Sequence, residues 1–104
     1  MPATVTRRTD AGVAFLTLDH SPPNILSAPV RQAFQDALDA ALAEPEISAI
    51  VISGAGAGFS SGIDLEEAET GQASPTVSDL ARAIETSPKP VVAALHGTVL
   101  GAGL

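Results

Sequence analysis

The sequence predicts an α/β fold, on two observations. Short apolar runs rich in β-branched residues, 47–53 and 91–95, alternate with segments of helical periodicity, 28–44 and 77–86. Glycine-rich stretches follow both runs, Gly54 to Gly62 after the first and one starting at Gly101 after the second. In α/β folds, ligands commonly sit beyond the carboxyl ends of strands.

Each element has a local reason. Residues 4–9 and 13–19 read as a β-hairpin turning at Asp10-Ala11-Gly12, with glycine where a positive φ is often needed. In the second strand Ala14, Leu16 and Leu18 face one way and Val13, Phe15 and Thr17 the other. Ser21-Pro22-Pro23-Asn24 opens a loop. The first helix has Ser27 as N-cap, Pro29 in its first turn, and an apolar stripe of Val30, Phe34, Ala37, Leu38, Ala41 and Leu42. Pro45 ends it. Ile47 to Ser53 is expected to be a buried central strand. Asp64 to Glu69 reads as an acidic helical turn and residues 70–76 as a connector. The second helix places Val77, Leu80, Ala81 and Ile84 on one face, and Pro88-Lys89-Pro90 ends it. Val91 to Leu95 is expected to be a second buried strand, with a turn at His96-Gly97.

Composition limits the function. The chain has 104 residues, 45% of them hydrophobic, enough for a core in one small domain or a piece of a larger one. No apolar run approaches the roughly 20 residues that span a bilayer. Met1 to Arg8 lacks the apolar stretch of a signal peptide. A soluble, cytoplasmic protein is therefore expected. With no cysteine, disulfides, thiol nucleophiles and Cys zinc sites are excluded. A net charge of −7 argues against nucleic acid as a partner. The apolar, glycine-rich Gly101-Ala102-Gly103-Leu104 reads as an interruption rather than a finished terminus.

Three chemistries compete for the first glycine stretch. Gly54, Gly56 and Gly58 give G-x-G-x-G rather than the dinucleotide G-x-G-x-x-G, and no Gly-Lys-Ser/Thr ending supports a P-loop. Gly58-Phe59-Ser60-Ser61-Gly62 matches the hydrolase G-x-S-x-G, and Ser60, Asp79 and His96 fall in hydrolase order. However, six residues separate Ser53 from Ser60, where a nucleophile elbow follows its strand at once. The third chemistry is an oxyanion hole of two backbone N–H groups, one from each loop, holding the oxygen of a thioester that becomes an enolate. Glycine permits the close main-chain approach this requires.

Motifs in order along nearly the whole chain carry a resemblance. Asn24-Ile25-Leu26-Ser27 resembles the "N-A-L-S" segment of the crotonase (enoyl-CoA hydratase/isomerase) family. Ile50 to Gly56 and Phe59 to Leu65 resemble its "V-L-T-G-x-G … F-x-A-G-x-D-L", and Lys89 to Gly97 with Leu100 to Leu104 resembles "K-P-V-I-A-A-V-x-G-x-x-L-G-G-G". The sequence is one residue shorter between Pro23 and Asn24 than the family's "P-P-V-N".

The resemblance implies the N-terminal portion of one crotonase domain, a spiral of ββα units truncated here. In the complete family fold, further helices mediate trimer formation, so a homotrimer or hexamer is implied. It implies that the backbone N–H groups of Ile63 and Ala102 form the oxyanion hole. The family usually has glycine at the second place; alanine keeps the N–H and adds a methyl. Ser61, Gly62, Asp64 and Leu65 match positions that hold CoA, Ile25 lines the same groove, and Gly101 joins Ala102 in the second loop. The implied activity is syn-addition of water to a trans-2-enoyl-CoA, with CoA entering as substrate and neither metal nor redox cofactor. Alternatives are an isomerase, thioester hydrolase or dehalogenase, the N-terminal half of a fused fatty-acid oxidation enzyme, or a non-catalytic acyl-CoA-binding module. By this resemblance one catalytic Glu is the residue after Leu104 and another lies further on.

Plainer roles are expected elsewhere. Asp64 can cap the turn that follows it. Glu66, Glu67 and Glu69 form a solvated face, His20 a loop, His96 a turn, and Lys89 an exposed approach to its strand. None is assigned to catalysis.

Overall fold

In a computed structural model, residues 5–19, 24, 26–56, 58–60, 62 and 75–97 are described. Strand β1 (Val5–Asp10) pairs antiparallel with β2 (Val13–Leu18), from Val5 opposite Leu18 to Asp10 opposite Val13. Asp10 is thus the last strand residue, and the turn is Ala11-Gly12 alone. Both residues are left-handed, at φ 50° and 82°. That is the type I′ geometry, whose twist matches the flanking strands. On the outer face the Arg8 guanidinium carbon lies 4.2 Å from the ring centroid of Phe15, its cross-strand partner.

The chain then makes two crossovers. Helix α1 (Ala28–Ala43) carries it from β2 to β3 (Ala49–Gly54), and α2 (Val77–Glu85) from β3 to β4 (Val91–Ala93). Both of these strand pairs are parallel, as helical crossovers require, and the sheet order is β1-β2-β3-β4. The predicted α/β class is therefore observed.

One core fills the space between the helices and one sheet face. Ala14, Leu16 and Leu18 enter it from β2, and Ile50 and Ile52 from β3. Val30, Phe34, Leu38 and Ala41 enter it from α1, while Ala37 and Leu42 pack at its margin. From α2 only Leu80 is buried; Val77 and Ile84 are half-buried and Ala81 is exposed.

Two strand expectations change. Ile47 is buried but precedes β3, its N–H donating to the Glu44 carbonyl. β3 is central, yet only the Ile50/Ile52 face is buried. β4 is shorter than 91–95 and is not buried: Val92 is 58% and Leu95 51% exposed. Among the described residues β4 lies at the sheet edge, where Val91 packs against the margin of the core while Val92 and Leu95 face outward.

Helix ends are also decided by distant contacts. Ser27 occupies the N-cap of α1 without a side-chain capping bond. Glu44 leaves the helix at φ −86°, ψ 118°, as a residue before proline must. Lys89, expected to be exposed, turns inward: its Nζ donates to the carbonyls of Ala41 (3.0 Å) and Glu44 (2.7 Å). A cation there gives each of these carbonyls a second donor, beside the Glu44 and Ile47 N–H groups, and meets the negative end of the helix dipole. Lys89→Met in the full-length protein should therefore cost about 1–2 kcal/mol, read from the urea midpoint, with no change in ligand affinity. An unchanged midpoint would show the capping to be energetically empty.

The Glu44 side chain pairs with Arg7 of β1. The hydrogen bond from Arg7, reinforced by its charge, holds the Glu44 carboxyl below the usual carboxylate range. The pair's contribution is thus present at neutral pH and fades as pH falls through that lowered value. Partial exposure keeps it small. α2 begins with a capping box: Asp79 N–H donates to Thr76 Oγ1, and Thr76 N–H to Asp79 Oδ2.

Candidate functional site: the first glycine loop

The loop leaves the carboxyl end of β3 at Gly54. A Cβ there would stand 2.6 Å from the Phe59 carbonyl oxygen and 2.7 Å from Phe59 Cα. The obstruction is backbone, so only glycine lets the loop fold back onto the strand end. Gly54→Ala should push residues 58–59 outward and cost about 1–3 kcal/mol. Thermal unfolding of the full-length variant checks this, and an unshifted Tm would contradict the contact.

Beyond Gly54 the loop is knotted by hydrogen bonds. Asn24 is 2% exposed and left-handed, at φ 57°. Its side-chain amide donates to the carbonyls of Ala55 (3.0 Å), Gly58 (3.1 Å) and Phe59 (3.1 Å). Ser60, 1% exposed, donates through Oγ to the Asn24 carbonyl at 2.8 Å and accepts the Gly62 N–H at 3.1 Å. Gly62, at φ 106°, accepts the Leu26 N–H on its carbonyl at 2.7 Å. From β4's side, the His96 carbonyl accepts the Phe59 N–H at 2.9 Å. His96 Nε2 lies 2.9 Å from the Gly56 carbonyl oxygen, which can only accept, so Nε2 carries the proton. His96 is therefore more than a turn residue; it ties the end of β4 to the loop.

Sequence reasoning missed Arg31, which is fully buried in α1. Its Nε donates to the Pro75 carbonyl and its Nη1 to the Leu26 carbonyl, both at 2.6 Å. A buried guanidinium is tolerated only when bonded in this way. The available signal was its spacing: Arg31 stands three residues before Phe34 and seven before Leu38, on the apolar stripe itself.

An apolar groove of about 400 Å³ opens beside the loop. Leu18, Ile52 and Ala93 at the strand ends, Phe59 of the loop, and Val77 and Ile84 of α2 contribute to its lining. The expected shared face of α2 is real here, since Leu80 and Ala81 also line the groove.

The hydrolase reading loses its support. Ser60 is buried and engaged with Asn24 and Gly62, Asp79 caps α2 at Thr76, and His96 bonds to Gly56. Of the residues the resemblance assigns to the site, Gly62 is described, with its N–H and carbonyl both in internal bonds. Ile25, Ser61, Ile63, Asp64, Leu65, Gly101 and Ala102 lie outside the described residues, as do His20, Glu66, Glu67 and Glu69.

Known proteins resemble this chain in sequence and in fold. Residues 8–104 match the family described as Enoyl-CoA hydratase/isomerase. A "Peroxisomal bifunctional enzyme" of Danio rerio is 41% identical over 91 residues, covering 88% of this chain and 13% of that protein. A "Probable enoyl-CoA hydratase" of Bacillus subtilis (strain 168) is 35% identical over 108 residues, covering 91% of this chain and 40% of that protein. The chain thus spans well under half the length of either. Among solved structures, an enoyl-CoA hydratase/isomerase from Xanthobacter autotrophicus Py2 superposes with a TM-score of 0.86 at 30% identity, covering 99% of this chain and 42% of that one. A match over residues 8–104, on a sheet that superposes on solved relatives, makes the chain a member of the enoyl-CoA hydratase/isomerase family, the crotonases.

Proposed function

We propose that this chain forms the part of an acyl-CoA-binding enzyme that holds the thioester and supplies backbone donors to its oxygen. The complete protein adds water across a trans-2-enoyl-CoA. Water oxygen bonds to C3, the double-bond electrons move toward the thioester oxygen as an enolate, and a proton then reaches C2. The Ile63 and Ala102 N–H groups stabilise the enolate oxygen. Two glutamates beyond Leu104, by family resemblance, handle the water and its protons.

The observation that carries this reading is the pairing of a backbone-lined glycine loop with an apolar groove, Phe59 belonging to both. Such a pairing suits a ligand with a polar reacting group and an apolar tail. The same reading takes CoA as part of the substrate and uses neither metal nor redox cofactor. It places the complete protein in the cytoplasm as a homotrimer or hexamer. Among the described residues no helix is long and apolar enough to cross a membrane.

A second reading has its own support. The Danio rerio relative is named a bifunctional enzyme, and a "Glyoxysomal fatty acid beta-oxidation multifunctional protein MFP-a" of Brassica napus, 35% identical over 104 residues, a multifunctional one. On that reading the chain opens the hydratase part of a fused fatty-acid oxidation enzyme. Sequencing the continuation past Leu104 separates the two: a second catalytic domain supports fusion.

Crotonyl-CoA soaked into crystals of the full-length protein tests the main reading. The thioester oxygen should lie within hydrogen-bond reach of the Ile63 and Ala102 N–H groups, with CoA along Ile25, Ser61, Asp64 and Leu65. Density elsewhere, or an acyl adduct on Ser60, would refute it.

A further inference from the structure

We infer that Asn24 and Ser60 are positioning residues, which aim the first oxyanion donor by fixing the peptide unit that begins at the Gly62 carbonyl. This deepens the acyl-CoA reading above and rests on it. A trans peptide is planar, with its carbonyl and the following N–H pointing in opposite directions. The Leu26 N–H holds the Gly62 carbonyl at 2.7 Å. Whatever fixes that carbonyl also directs the N–H at the far end of the same unit, which belongs to Ile63.

The hold on this unit reaches back two residues on each strand of the knot. The Gly62 N–H is bonded to Ser60 Oγ, and Ser60 Oγ to the Asn24 carbonyl. Leu26 is itself held, its carbonyl accepting from Arg31 Nη1 at 2.6 Å. Gly62 is therefore constrained at its carbonyl by Leu26 and at its N–H by Asn24 acting through Ser60. Its φ of 106° lies where side-chain-bearing residues rarely go.

The identity of residue 24 fits this task. At φ 57° glycine would suffice for the backbone. Asparagine also tolerates the left-handed region, and it adds an amide aimed at three loop carbonyls. That amide has two hydrogens, so the three carbonyls share them and must converge on it. Asn24 thus gathers Ala55, Gly58 and Phe59 while its own carbonyl anchors Ser60. An oxyanion hole acts only if its donors are in place before charge develops. A misplacement of about 1 Å can cost roughly 10²-fold in rate.

The test uses Ser60→Ala and Asn24→Gly in the full-length protein. The first deletes one hydroxyl, and the second keeps the backbone conformation while removing the amide. Three quantities are read: kcat and KM with crotonyl-CoA, and the 13C shift of the thioester carbonyl in bound, C1-labelled butyryl-CoA. Ser60→Ala should lower kcat about 10- to 100-fold with KM changed less than about threefold. The carbonyl signal should move back toward that of free thioester, reporting lost polarisation. A merely structural role would lower Tm and leave the carbonyl signal of the folded fraction unchanged. That result, or a loss confined to KM, overturns the inference. If Asn24→Gly does not fold, Ser60→Ala decides. If the unaltered protein neither polarises the carbonyl nor hydrates crotonyl-CoA, the acyl-CoA reading has failed and the inference falls with it; a failure seen only in the variants is a failure of positioning alone.

Discussion

Replacing Ile63 by proline in the full-length protein is expected to lower kcat about 10²–10³-fold, or roughly 2.7–4 kcal/mol of transition-state stabilisation. Proline deletes one N–H and leaves the rest of the proposed oxyanion hole in place. The loss should appear mainly in kcat, because the bond strengthens as the thioester oxygen gains negative charge. Proline also restricts the residue before it, and Gly62 sits at φ 106° with its carbonyl bonded to Leu26. Circular dichroism and the binding of CoA itself must therefore be unchanged before the rate is interpreted. A folded variant with near-normal turnover would remove Ile63 from the mechanism.

The 104 residues expressed by themselves are expected to show no enoyl-CoA hydration and to associate. The chemical reason is that an oxyanion hole stabilises an enolate but cannot activate water, and the proposed acid and base lie past Leu104. The physical reason is visible at the sheet edge. Among the described residues β4 ends the sheet with no strand on its outer side, and Val92 and Leu95 are 58% and 51% exposed. Edge strands with apolar side chains template pairing with other chains. Loss of crotonyl-CoA absorbance measures the activity, and sedimentation velocity measures the size. A monodisperse monomer that hydrates crotonyl-CoA would overturn both reasons and return Asp64, Glu66, Glu67 and His96 to consideration as acid and base.

Much was legible from spacing alone, because the interactions involved are local. The period-2 alternation of 14–18 determined which face of β2 enters the core, and Ala14, Leu16 and Leu18 are buried as expected. The stripe from Val30 to Leu42 determined the buried face of α1, and Pro45 where it stops. The ordered motifs around Asn24, Gly54 and Phe59 identified the family before any contact was known.

Only the tertiary structure decided the roles that depend on residues far apart in sequence. Asn24 reads as a loop residue, but the carbonyls that its side-chain amide serves stand 31 to 35 positions away. Lys89 reads as an exposed cation until the end of α1, 45 to 48 positions earlier, is brought against it. Arg31 breaks the apolar stripe and is still buried, because Leu26 and Pro75 supply carbonyls that no helical pattern encodes. Apolar residues at 91–95 promise burial, but among the described residues β4 stands at the sheet edge, where Val91 reaches the core margin and Val92 and Leu95 stay exposed. Periodicity determines which way a side chain faces; what stands opposite it is set by chain topology, and hydrogen-bond roles follow from that neighbour.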